Sequence, residues 1–211
     1  MTAFFEETLP PQTRQLVSEF QRKPLQLLTD FYLSGGTGLA LQLGHRQSDD
    51  LDFFSSKEFN PSVVEQQLAN YGQLEQTELE KGTLNTFLNG VKLQFLEYPY
   101  PLLESTEKWQ QLQISSTLDI ACTKLQTISM RGSKKDFVDL YFLLESYSLA
   151  ELLNAVNQKY AAVNYNRPHI LKSLLYFEDA DSQPMPRMLK QVSWGAVREK
   201  ITLLMKSLPL D

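Results

Sequence analysis

Cysteine and histidine are scarce in this chain of 211 residues, which holds one of the first and two of the second. A lone cysteine, Cys122, excludes an internal disulfide and a cysteine-rich zinc site. Neither His45 nor His169 has a second histidine nearby, so zinc ligation has no starting point. Long apolar runs are missing as well, and none approaches the roughly 18 residues of a membrane span. The opening Met1-Thr2-Ala3-Phe4-Phe5-Glu6-Glu7 places acids where a signal peptide has a basic start and an apolar core. A cytoplasmic protein without a membrane partner is expected. Positive charge is not in excess either: 20 basic against 25 acidic side chains give −5, which argues against non-specific coating of nucleic acid.

What is present is an ordinary globular composition, 42% hydrophobic and 11% aromatic. The length fits one large domain, or a core with a helical appendage. Charge is uneven: residues 1–118 carry 8 basic and 15 acidic groups, residues 119–211 carry 12 and 10. An acidic first half facing a mildly basic second half suits a metal site opposite a phosphate-binding surface, although charge alone does not decide this.

Local patterning divides the chain near 115, predicting a core over 1–115 and a helical region over 116–211 packed on it. Residues 12–29 read as a helix interrupted at Pro24. Phe31-Tyr32-Leu33 reads as a short strand running into Ser34-Gly35-Gly36-Thr37-Gly38, a short helix, and a stop at Gly44. Four of the nine glycines fall between 35 and 44, concentrating backbone constraint there. Leu51-Asp52-Phe53-Phe54 is a second strand. A helix opens at Asn60-Pro61 and runs to about Tyr71. Strands are predicted over 73–80, 83–89, 91–97 and 112–114, with turns at Lys81-Gly82 and Asn89-Gly90. Helices are predicted over 117–130, 135–146, 148–159, 167–177 and 193–207, with Ser133, Ser148 and Ser193 as N-caps. The fold class is α+β.

Chemistry concentrates in Gly35-Gly36 followed by Asp50-Leu51-Asp52-Phe53. Residues two apart in a strand share a face, so Asp50 and Asp52 project together. Paired carboxylates repel unless a cation lies between them, and oxygen-only ligands suit Mg²⁺ or Mn²⁺. The glycine turn offers backbone N–H groups and a helix N-terminus to an anion such as a triphosphate. Metal carboxylates facing a phosphate cradle are what phosphoryl-type transfer requires. A Rossmann reading of Gly36-Thr37-Gly38-Leu39-Ala40-Leu41 fails because Leu41 stands where the third small residue belongs.

Leu33-Ser34-Gly35-Gly36-Thr37-Gly38-Leu39-Ala40-Leu41, with Gly44-His45-Arg46-Gln47-Ser48-Asp49-Asp50-Leu51-Asp52, resembles the first motif of the AbiEii/AbiGii toxin family. Leu118 to Leu125 resembles that family's lysine helix, and Arg131 to Tyr141 its final motif. The resemblance spans roughly 28–146. It implies a DNA polymerase β-like nucleotidyltransferase: a mixed sheet with helices, followed by a C-terminal helical bundle. It implies transfer of a nucleoside monophosphate from an NTP to an acceptor, with pyrophosphate released. It further implies a toxin of a toxin–antitoxin or phage-defence pair, with RNA or tRNA as acceptor and a cognate antitoxin as partner. Carried over, Asp50 and Asp52 would hold the metal, and Ser34, Gly35, Gly36 and Thr37 would cradle the nucleotide. Arg46 and Ser48 would support the acidic strand, and Lys124 would meet the triphosphate. Asp139 would complete the site as the group accepting the proton of the attacking hydroxyl. Asp136 and Asp139, three apart, are neighbours on one helical face, although Asp136 also fits as simply favourable charge in a first helical turn.

One position departs from the polymerase β-like pattern. The strand Val91 to Leu96 carries Gln94 where a third acid is expected, and Glu97 alternates to the opposite face. A catalytically degenerate nucleotide- or protein-binding module, or a phosphotransferase on the same fold, therefore stand as alternatives. The remaining candidates read as structural: His45 in a structural or solvent-facing role, His169 in a first helical turn, and Cys122 as a buried small hydrophobe.

Overall fold

The computed structural model describes residues 3–163 and 166–208. Seven strands form one mixed sheet: β1 (Tyr32–Leu33), β2 (Leu51–Ser55), β3 (Leu74–Glu80), β4 (Thr83–Leu88), β5 (Val91–Glu97), β6 (Glu107–Trp109) and β7 (Leu112–Ile114). Their spatial order is β3-β4-β5-β2-β1-β7-β6. β2 lies at the centre, antiparallel to β1 and parallel to β5. The hairpin at Asn89-Gly90 joins β4 to β5 in register, Leu88 opposite Val91.

Strand alternation sorts the core into two layers. Leu33, Leu51, Phe53, Leu93 and Phe95 point to one face, where they pack with Leu16, Val17 and Phe20 of α1 (Pro11–Arg22) and Val64 and Leu68 of α3 (Pro61–Leu68). Tyr32 and Phe54 point to the other, joining Leu39 of α2 (Gly35–Leu43) and the apolar faces of the later helices. Those are α4 (Thr117–Arg131), α5 (Lys134–Leu143), α6 (Leu149–Lys159), α7 (Arg167–Ser173), α8 (Glu178–Asp181) and α9 (Trp194–Ser207). The junction near 115 is a change of element type between β7 and α4, and a single apolar cluster runs across it.

Several boundaries differ from expectation. The first helix ends at Arg22, and Gln26–Asp30 forms a separate 3₁₀ turn beyond Pro24. α7 stops at Ser173, four residues early, because the N–H groups of Leu175 and Tyr176 bond three residues back instead of four. β6 and α8 carry too few residues to show a period in the sequence. Ser148 caps α6 with a full capping box, and Ser193 caps α9. Ser133 makes no such bond; its hydroxyl goes to the carboxylate of Asp136 at 2.5 Å. No helix among the described residues is long and apolar enough to cross a membrane.

Candidate active site

Asp50 directly precedes β2, and Asp52 is its second residue, directly opposite Gln94 of β5. Both acids open into a cleft of about 400 Å³. Gly35 and Gly36 form one wall, Lys92, Gln94 and Leu96 the sheet side, and Thr123, Lys124, Gln126, Thr127 and Arg131 the helical side. Phe54, Tyr98 and Ile120 make an apolar end.

The glycines are demanded by close approach. Gly35 has φ +61°, and a Cβ there would strike the carboxylate of Asp52. A Cβ on Gly36 would stand 2.7 Å from Nη2 of Arg46 and 3.1 Å from Oγ of Ser48. The turn thus presents bare backbone beside the acids at the start of α2, the arrangement that favours an anion.

Among the described residues, the Asp50 and Asp52 carboxylates make no hydrogen bond or ion pair with the protein. Burial, reinforced by the like charge of Asp50, raises the pKa of Asp52. No cluster of three or more His, Cys, Asp or Glu able to hold a metal exists among the described residues, so this pair stands without a further acid. Gln94 donates its amide to Oδ1 of Asn85 at 2.9 Å, which leaves its carbonyl oxygen as the remaining polar atom on that strand position. Two uncompensated carboxylates with a neutral oxygen alongside are a donor set suited to a hard divalent cation.

The acids below the cleft are arranged in the opposite way. Asp139 is fully buried and receives Nε (2.6 Å) and Nη2 (2.8 Å) of Arg46, Nε2 of His45 (2.8 Å) and Nζ of Lys124 (2.6 Å). Burial alone would raise its pKa, but Arg46 and Lys124 overcome that and hold it well below the usual carboxylate range. Asp136, also fully buried, takes Nζ of Lys124 at 2.8 Å and Nε of Arg131 at 3.2 Å; Lys124 is the chief group keeping its pKa low against burial. Burial lowers the pKa of His45; its Nε2 faces the Asp139 carboxylate, and among the described residues its buried Nδ1 has no partner. Three cations, Arg46, Lys124 and Arg131, thus meet two carboxylates, and one positive charge remains facing the cleft.

Of the residues expected at the site, Gly35, Gly36, Arg46, Ser48, Asp50, Asp52 and Lys124 line the cleft, and Ser34, Thr37 and Asp139 do not. Ser34 is buried and accepts a bond from Oγ of Ser115 at 2.9 Å. Thr37, fully buried, spends its hydroxyl on the carbonyl of Asp50. Asp139 lies behind Arg46 and Lys124, an anion too well stabilised to serve as a base. One partner, His45, carries no spacing signal in the sequence. Asp136 shares a helical face with Asp139 by its i, i+3 spacing, and that face meets Lys124.

With this geometry in view, the likeness to known proteins is informative. The family model for the AbiEii nucleotidyl transferase toxin of type IV toxin–antitoxin systems matches residues 21–92 and 90–207. An uncharacterized protein of Aquifex aeolicus is 44% identical over 162 residues, 74% of this chain and 78% of that one. The fold is similar to that of JHP933 from Helicobacter pylori, with TM-score 0.55, 16% identity, and 94% and 92% of the two chains covered. It is likewise similar to MenT4, a nucleotidyltransferase toxin of Mycobacterium tuberculosis, with TM-score 0.55, 16% identity, and 95% and 87% covered. Acid pair, glycine wall and lysine helix all fall within the matched residues, and the chain belongs to the AbiEii nucleotidyltransferase toxin family.

Proposed function

We propose that this nucleotidyltransferase is divalent-metal dependent, uses Mg²⁺ or Mn²⁺ with an NTP, and transfers a nucleoside monophosphate to RNA, with tRNA as a candidate acceptor. The observation that carries the reading is the contrast between the acid sets. Asp119, Asp136 and Asp139 are all saturated with donors, while Asp50 and Asp52, in the same protein, are left bare toward the cleft. Uncompensated charge costs folding stability and persists where a ligand compensates it.

Asp50 and Asp52 would hold the metal, with the carbonyl oxygen of Gln94 adjacent. When bound, the ion supplies charge neutralisation for the phosphates and aligns the reacting oxygens. The Gly35-Gly36 backbone would receive the triphosphate. The cation left uncompensated by Asp136 and Asp139, together with Lys92, would attract its negative charge. The apolar end at Phe54, Leu96, Tyr98 and Ile120 would take the base. In the transfer, the acceptor hydroxyl oxygen bonds to the α-phosphorus. The bond from that phosphorus to the β-bridging oxygen breaks, pyrophosphate leaves with the electron pair, and the hydroxyl proton passes through Asp52 to water. Arg46 and Asp139 act by position, fixing the loop that carries Ser48 and Asp50. A cognate antitoxin partner is part of this proposal, supported by the type IV toxin–antitoxin description of the family, and a role in phage defence is proposed with it.

The test is transfer of α-labelled NTPs to total cellular RNA with Mg²⁺, natural protein against Asp52→Asn. Label on RNA with the natural protein alone supports the reading and names the base. Label retained from the γ position would instead mark a phosphotransferase. Absence of label from all four nucleotides, with correctly folded protein, would refute it.

A further inference from the structure

A second groove of about 250 Å³ opens beside Asp50 and shares Arg46, Ser48, Asp50 and Lys135 with the main cleft. Its far wall is Met185, Pro186 and Arg187, from a segment that no motif covers. That segment is strapped in place at both ends. Upstream, the buried Lys134 ammonium donates to the carbonyls of Asp181 and Gln183, and Lys134 N donates to Oε1 of Gln183 at 2.9 Å. Downstream, Gln47 N donates to Arg187 O at 2.8 Å, and the N–H groups of Leu189 and Lys190 reach His45 O at 2.9 and 3.0 Å. Met188 bridges Arg46.

The strap holds Arg187 next to the acid pair. Lys135 and Arg187 are both exposed, and among the described residues neither makes a side-chain hydrogen bond or ion pair. Arg46, Lys124 and Arg131 share the Asp136 and Asp139 carboxylates, whereas among the described residues Lys135 and Arg187 meet no carboxylate. Asp49 and Asp50 also line the groove, so its net charge is small and selectivity rests on where the two cations stand.

We infer that this groove is the acceptor subsite, and that Lys135 and Arg187 grip the phosphodiesters of a polynucleotide whose 3′ hydroxyl is delivered past Asp50. The inference rests on the nucleotidyl-transfer reading. In-line displacement requires the attacking oxygen to enter opposite the departing pyrophosphate. With the triphosphate on the Gly35-Gly36 wall, the second groove offers a route past Asp50 that is lined by the unpaired cations. Spaced cations on a rigid rim suit a phosphate backbone.

The experiment is fluorescence anisotropy of a short labelled RNA with a free 3′ hydroxyl, run in parallel with Mg–NTP binding. Arg187→Ala and Lys135→Ala should each weaken RNA binding about tenfold at low salt. Each should also flatten the slope of log affinity against log salt by about 0.7, the value for one lost single-strand phosphate contact. Arg187→Ala should leave NTP affinity unchanged, Arg187→Lys should restore most of the RNA binding, and Lys81→Ala, at the β3–β4 turn, should bind RNA within twofold of the natural protein. RNA affinity unchanged in both groove variants would overturn the inference, as would transfer to a protein acceptor by a chain that does not bind RNA. RNA binding that depends on Arg187, with no label transferred to the bound RNA, would sustain the groove and refute the transfer reading.

Discussion

Replacing an aspartate by asparagine should move stability in opposite directions at two positions of this one site. At Asp139, both carboxylate oxygens receive donors: Nε of Arg46 and Nε2 of His45 on one, Nη2 of Arg46 and Nζ of Lys124 on the other. Asparagine has one acceptor oxygen, so its NH₂ must point at N–H donors whichever way it is flipped. Arg46 and Lys124 would then be buried without their shared anion. Removing one partner of a buried pair costs about 3–5 kcal/mol. For a chain of this size a kilocalorie corresponds to roughly 2–4 °C, so Asp139→Asn should lower Tm by about 6–20 °C. At Asp52 the carboxylate has no donor among the described residues, and burial and Asp50 oppose its charge. Asp52→Asn should raise metal-free stability at pH 7 by about 0.5–2 kcal/mol, in the range of ordinary stabilising substitutions. Thermal melts without divalent metal, followed by circular dichroism, read both. The reasoning fails if Asp139→Asn melts with the natural protein, or if the two variants shift in the same direction.

The pH profile follows from the same pair. Asp139 has a depressed pKa, so its stabilisation is complete above the unfolded value near 3.9 and disappears as pH falls through its lower folded value. Asp52 is raised, so metal-free protein should lose stability as pH climbs from about 3.9 through the folded value, a loss that added Mn²⁺ reverses; melts over a pH series with and without Mn²⁺ check this. Gly35→Ala should cost about 1–2 kcal/mol for the left-handed backbone and, through its clash with Asp52, lower transfer activity at least a hundredfold in the labelling assay. Gln94→Asp adds an acid opposite Asp52; Mn²⁺ affinity, measured by calorimetry, should tighten about tenfold, and an unchanged value would remove Gln94 from the metal's surroundings.

Legibility varied with how local the determining physics was. Residues 33–54 could be read because strand alternation, two closely approached glycines and paired acids act over a few residues. β6 could not, since Glu107-Lys108-Trp109 is too short to show a period and exists only by pairing with β7. His45 was read as structural or solvent-facing, and its bond to Asp139 joins positions 94 residues apart. The spacing of Asp136 and Asp139 placed both on one helical face, but which cations they serve depends on how α5 lies against α4 and the 44–48 loop. Ser34 and Thr37 belong to the glycine motif by sequence, while in the fold their hydroxyls hold Ser115 and the Asp50 carbonyl behind the wall. The segment over 182–190 showed no pattern, because a strap held by a handful of backbone bonds needs no periodicity.

That strap also sets a schedule for the ribosome. Residues 45–47 emerge about 140 residues before their partners at 187–190, which at 5–20 residues per second is roughly 7–28 s of synthesis. Through that interval the acid pair exists with one flank missing. A nascent or truncated chain ending before the strap would bear the acid pair and the glycine wall without the Arg187 rim, so the groove beside Asp50 is completed late in translation.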